Sequence, residues 1–166
     1  MSLRATVGLS LTVRETVATD AAGYASETQN SVTFDGGNVD AALTATTTPA
    51  ITAHAVGQQA LSSGVATLDL RTLTGLNGVA VDLNGLAPRA VLFENPETNA
   101  DAITITTGAS NGYTGFGVSY LETLQPGAKS LRWLDATGTA VSGSVKTLDL
   151  AGTGSQVLNY QIVAGA

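Results

Sequence analysis

The side chains that could do chemistry in this sequence are few. Of its 166 residues none is Cys, one is His (His54), one is Trp (Trp133), and 12% are charged. A hydrolytic Ser-His-acid triad would have to use His54 beside a serine in a strained turn. His54 instead sits in Ile51-Thr52-Ala53-His54-Ala55-Val56 among small apolar neighbours, which reads as a packed or surface-placed strand histidine, and no Gly-x-Ser-x-Gly elbow is expected in the chain. Zinc chemistry of the usual kind needs Cys or several His and lacks its ligands here. The best oxygen-ligand candidate is Asp35-Gly36-Gly37-Asn38-Val39-Asp40. Alternating oxygens around glycine can wrap Ca²⁺, yet Asp-Gly-Gly-Asn is also the composition of a tight turn, because Gly and Asn accept positive φ. The turn is the reading taken, and neither metal nor cofactor is expected.

Paired carboxylates for glycoside hydrolysis are harder to judge, because such pairs form in space and the thirteen acids are widely spread. Sugar-processing sites also use stacking aromatics, of which there are few. Trp133 alternates with charged neighbours in Leu131-Arg132-Trp133-Leu134-Asp135 and is expected in the core. The loop Ser110-Asn111-Gly112-Tyr113-Thr114-Gly115-Phe116-Gly117 is more suggestive. Tyr113 and Phe116, with Tyr120 just beyond, form a candidate contact loop for a sugar or a neighbouring subunit. The competing reading is a loop tucked by its own aromatics. The glycines here form no phosphate cradle, since no Lys-Ser/Thr follows them.

The elements that must position these groups are strands. Ala5 to Val17 alternates apolar and polar residues, the signature of a half-buried strand. Val32 to Phe34 reads as a short strand and Thr44 to Pro49 as an extended Thr/Ala tract. Ile51–Leu61 and Val65–Leu70 flank Ser62-Ser63-Gly64 and read as a hairpin. Arg71 to Gly78 suits one helical turn or an irregular loop. Further strands are expected at 79–83, 90–94, 102–107, 118–124, 131–135, 145–150 and 157–163, separated by Gly, Asn and Pro turns. Val65-Ala66-Thr67-Leu68-Asp69-Leu70 is echoed by Val145-Lys146-Thr147-Leu148-Asp149-Leu150. Similar strand environments account for this more simply than a duplicated half-domain. The pattern predicts an all-β protein, an antiparallel β-sandwich of jelly-roll type. Residues 1–166 are expected to form a single domain, with 1–50 carrying an arm or long exposed loop.

A net charge of −6 with seven scattered basic residues supplies no basic stripe for nucleic acid and no patch for an anionic membrane. The abundance of Thr, Ala and Gly suits level faces between layers or subunits.

Three stretches carry a family resemblance: Phe93-Glu94-Asn95-Pro96-Glu97-Thr98-Asn99, Leu121-Glu122-Thr123-Leu124-Gln125-Pro126-Gly127, and Gly154-Ser155-Gln156-Val157-Leu158-Asn159-Tyr160. With these corners the chain from Pro88 onward resembles virion proteins of tailed bacteriophages built on small jelly-roll or related β-sandwich domains. The resemblance implies a capsid decoration, minor capsid or head-fibre component with no active site. It implies a homo-oligomer made in the host cytoplasm, whose partners are itself and capsid proteins. A carbohydrate-binding β-sandwich module touching a surface glycan is the alternative.

Overall fold

A computed structural model describes residues 4–7, 14–15, 30–31, 41–44, 50–75, 78–134 and 137–166. By contacts the chain divides into two compact units, Met1–Ala5 with Leu43–Ala166, and Thr6–Ala42. Among the first residues, β1 (Arg4–Val7) pairs with β4 (Ala41–Thr44). In the smaller unit β2 (Arg14–Glu15) pairs antiparallel with β3 (Asn30–Ser31). Of the strand expected from Ala5 to Val17, residues 5–7 and 14–15 are strand in two separate pairings, and residues 8–13 and 16–17 lie outside the described set. So do Val32–Phe34 and the Asp35–Asp40 turn.

The larger unit is a sandwich of two four-stranded sheets. One sheet has the order β12 (Lys129–Trp133), β9 (Ala87–Glu94), β14 (Val157–Gly165), β5 (Ala53–Ala60). The other has β11 (Leu121–Leu124), β10 (Ile103–Thr107), β13 (Thr147–Ala151), β6 (Val65–Asp69). All their ladders are antiparallel, and no α-helix occurs among the described residues. The pairing is nested: β10 with β11, β9 with β12, β6 with β13, and β5 with β14. The inward-facing side chains of both sheets meet in one core, with Val91, Phe93, Leu158 and Ile162 from the first and Ile103, Ile105, Leu148 and Leu150 from the second. Each such side chain contributes about 1.5–3 kcal/mol through burial. That burial also fixes the register, because a one-residue slip would turn every core group outward.

Several sequence expectations need correction. The turn at Ser62-Ser63-Gly64 is real, with positive φ at both Ser63 and Gly64. Yet it does not make a hairpin: β5 and β6 run into different sheets, joined only by the Ser62–Val65 bridge. The reason is a second turn. Gly64 N–H donates to Gly154 O and Gly152 N–H to Gly64 O, so the corner is clamped to the loop before β14. The segment expected as one helical turn or an irregular loop contains β7 (Leu73–Thr74), which pairs with β8 (Ala80–Val81) as a small ribbon beside β5. Strand β11 begins at Leu121, since Val118 to Tyr120 are spent on a turn.

β9 begins at Ala87 despite Pro88, a residue that normally argues against a central strand. The ladder with β14 skips a residue here: Val163 faces Ala90 and Ala164 faces Pro88, leaving Arg89 as a bulge. The echoed segments prove to be neighbours, with Leu68 opposite Leu148, Thr67 opposite Asp149 and Asp69 opposite Thr147. Antiparallel pairing of like sequences gives the ladder a local two-fold. It sets Thr67 Oγ1 to donate to Asp149 Oδ1 at 2.9 Å, while Lys146 Nζ bonds Asp69 Oδ2 at 2.5 Å.

The three stretches quoted for the resemblance converge on one corner. Fully buried Asn95 donates from Nδ2 to Asp101 O (3.1 Å) and Leu124 O (2.8 Å), and its Oδ1 accepts from Asn99 Nδ2 (2.6 Å). Asn99 also donates to Val157 O and accepts from Val157 N–H. Gly127, with φ +81 after Pro126, closes the turn by donating to Asn95 O at 2.7 Å. The corner thereby locks the ends of β9, β11 and β14 against one another.

Candidate functional site

The loop proposed for contact is turned inward. Tyr113 has no exposed surface and its hydroxyl donates to Thr139 O at 2.8 Å. Tyr120 is 7% exposed, and Phe116 packs partly buried against the core. The rings meet edge-to-face, Tyr113 to Phe116 at 5.0 Å and Phe116 to Tyr120 at 5.2 Å, with Phe93 beneath at 6.3 Å from Phe116. Tyr113 thus has no open face for a sugar. What the loop does expose is Ser110, Asn111 and Thr114, with Val118 and Ser119 beyond Phe116.

Trp133 was expected in the core and is not there. Arg132 takes the inward position on β12, its guanidinium 4.6 Å from the Tyr120 ring centre and 5.8 Å from that of Phe116. Cation–π attraction and a long apolar stem let an arginine occupy that place. Strand alternation then sends Trp133, with Lys129 and Leu131, to the outside. Against the expectation that no such elbow is present, Gly108-Ala109-Ser110-Asn111-Gly112 has the Gly-x-Ser-x-Gly spacing of a nucleophile elbow. That stretch is a turn after β10 with no helix following, and Ser110 O accepts a hydrogen bond from Thr147. His54 sits on the outer side of the other sheet, so the two assemble no triad.

The outward side chains of the β12-β9-β14-β5 sheet fall into three rows running across all four strands. The first is Lys129, Glu94, Asn159, Gln58; the second Leu131, Leu92, Gln161, Val56; the third Trp133, Ala90, Val163, His54, of which Ala90 and Val163 are buried. The first row is bonded end to end. Lys129 Nζ lies 2.8 Å from Glu94 Oε1, Asn159 Nδ2 donates to Glu94 Oε2 at 3.2 Å, and Gln58 Nε2 donates to Asn159 Oδ1 at 2.9 Å. Lys129, then Asn159, holds the Glu94 carboxyl below its ordinary range, so the carboxylate is an acceptor at neutral pH. Between the first two rows lies a groove of about 320 Å³, lined among others by Gln58, Glu94, Asn159, Gln161, Val56 and Leu92.

The outer face of the second sheet is different: Leu121, Thr106, Asp149, Thr67 in one row and Thr123, Thr104, Ala151, Val65 in the next. Thr104 and Thr123 hydroxyls hydrogen-bond at 3.1 Å, and Asp149 is the one charge in these rows. Among the described residues no group of three His, Cys, Asp or Glu side chains is placed to hold a metal ion.

His54 offers a direct check on the first face. Its Nε2 lies 3.1 Å from Gln161 Nε2, and partial burial lowers its pKa below the ordinary 6.5. A neutral ring accepts from the amide; a protonated one cannot. Because the folded value is depressed, its contribution to stability is complete above about pH 6.5 and is lost as pH falls through the folded value. NMR titration of this lone imidazole is expected to give a pKa under 6.5, returning toward 6.5 on unfolding.

Comparison with protein-family models and with curated proteins yields no match.

Proposed function

We propose that the protein is a non-enzymatic virion structural component of the capsid-decoration, minor-capsid or head-fibre kind, built on a jelly roll and assembling with itself on a shell. The nested pairing of eight strands in two sheets supports the jelly roll, an architecture used by viral capsid and lectin domains. Fold alone does not carry function. The observation that carries this reading is where the sandwich leaves apolar side chains in water. Val65 on β6 is 62% exposed, Leu121 on β11 67% and Leu131 on β12 38%, each on an outermost strand. Outermost strands that stay monomeric usually carry Lys, Pro or a bulge. β5 is flanked by the β7–β8 ribbon, and β12 has Lys129 and Arg132. β6 and β11 present no basic residue at all. Together with the level Thr/Ala face between them, these two strands suit contact with another copy or with a shell.

Light scattering is the test. A discrete oligomer is expected, with trimer and pentamer the leading choices by resemblance to viral β-sandwich proteins. Val65→Lys combined with Leu121→Lys is expected to reduce it to folded monomers. A wild-type protein that stays monomeric at high micromolar concentration and binds no purified capsid removes the reading.

A further inference from the structure

We infer that the outer face of the β12-β9-β14-β5 sheet is a binding site for a neutral glycan. Gln58, Asn159, Glu94 and Gln161 would hydrogen-bond its hydroxyls, while Leu131 and Trp133 border its apolar side.

The chemistry of the rows selects this ligand class. An amide side chain holds one acceptor oxygen and two donor hydrogens in a plane, which matches neighbouring hydroxyls that each give and take a hydrogen bond. Three amides and a carboxylate stand on adjacent positions of β5, β14 and β9 around a groove of about 320 Å³. Their mutual bonds use only part of each group's capacity: Asn159 gives one hydrogen to Glu94 and accepts one from Gln58, keeping a second hydrogen and a second lone pair. Those bonds also hold the groups in place before any ligand arrives, which lowers the entropy cost of binding. Beyond the polar row, Val56, Leu92 and Leu131 provide the apolar ground that small-molecule sites require. Strand spacing makes the first two rows roughly 14 Å across the four strands and about 7 Å along them, the reach of a short oligosaccharide.

Charge sets the ligand as neutral. Glu94 and Lys129 are paired at 2.8 Å and are the only full charges in the three rows, so neither an anion nor a cation finds an uncompensated partner. A protein surface is the poorer occupant. An apolar partner would strip water from four polar groups without replacing their hydrogen bonds, a costly exchange that hydroxyls avoid. This site is separate from the β6 and β11 strands of the assembly reading and does not depend on it.

The experiment uses the full chain in its native assembly state. It is applied to a printed array of neutral hexose and N-acetylhexosamine oligosaccharides with their sialylated counterparts. The strongest neutral oligosaccharide is then titrated while following emission from Trp133, the single tryptophan and a member of the third row. Saturable binding with a change in Trp133 emission is expected. Gln58→Ala and Gln161→Ala, both at exposed positions, should each weaken it about fivefold with unchanged circular dichroism and melting temperature. Thr67→Ala, on the opposite outer face, should leave affinity unaltered. Four results overturn the proposal: no neutral oligosaccharide bound, preference for the sialylated forms, full affinity in the Gln58→Ala/Gln161→Ala double variant, or a Trp133 response to purified capsids alone.

Discussion

Replacing Asn95 by Ala is expected to destabilise the sandwich by about 2–4 kcal/mol, because it takes a partner from one buried and two part-buried groups at once. The carbonyls of Asp101 and Leu124 lose their donor, and the Asn99 amide loses its acceptor, at a position with no exposed surface. For a domain of this size the melting temperature should fall by roughly 4–16 °C, on the order of 2–4 °C per kcal/mol. Asn95→Asp is the sharper variant. It has nearly the same shape but turns two carboxylate oxygens toward groups that include those two carbonyls, so at neutral pH it should be at least as damaging. Acidification should recover part of that loss, since a protonated carboxyl can donate one of the two missing bonds. A variant that melts within 2–3 °C of wild type, roughly 1 kcal/mol, would mean that the corner does not hold the strand ends together.

That corner also shows what a single sequence can convey. Asn95-Pro96, Pro126-Gly127 and the Gly152–Gly154 turn are local signals, because each residue type answers a local backbone demand. The strands between them were legible for the same reason, by period-2 alternation over Ile103–Thr107 and Val157–Val163. Nothing local says that Asn95 must reach Leu124 and Asn99 must reach Val157. The start of β9 was hidden because Pro88 opposes a strand and only the bulge at Arg89 accommodates it. The hairpin expected at Ser62–Gly64 failed at the same level: the turn is local, while the clamp to Gly154 that splits its arms between sheets is not.

The candidate binding face was the least legible part. Its rows draw on positions 54–58, 90–94, 129–133 and 159–163, four segments joined only by long-range pairing. Asn159 and Gln161 occupy alternate positions of β14, which is a readable hint of a polar outer face. The side on which Trp133 falls was misread, since an arginine stacked on Tyr120 held the inward place that hydrophobicity assigned to the tryptophan. With the aromatic rings of the Tyr113 loop packed inward, the sheet faces are the surfaces on which the proposed assembly and binding rest.

Tyr113→Ala is expected to cost about 3–5 kcal/mol and to lower the melting temperature by roughly 6–20 °C, as removal of a large aromatic from a closed core does. Tyr113 is among the largest fully buried side chains, and its ring holds Phe116 at 5.0 Å in the cluster that Arg132 caps. Tyr113→Phe retains that volume and removes only the hydroxyl. It should cost about 1–2 kcal/mol, from the Thr139 carbonyl left without its donor. The ratio between the two variants separates the roles available to this residue. A core residue gives a large loss for Ala, a small one for Phe, and unchanged oligosaccharide affinity in whatever fraction remains folded. A contact residue gives the reverse: binding or assembly lost in Tyr113→Ala with the melting temperature intact. The enclosed ring and its hydrogen bond to Thr139 lead us to expect the first outcome. Thermal melts of the two variants, read beside light scattering, decide between them.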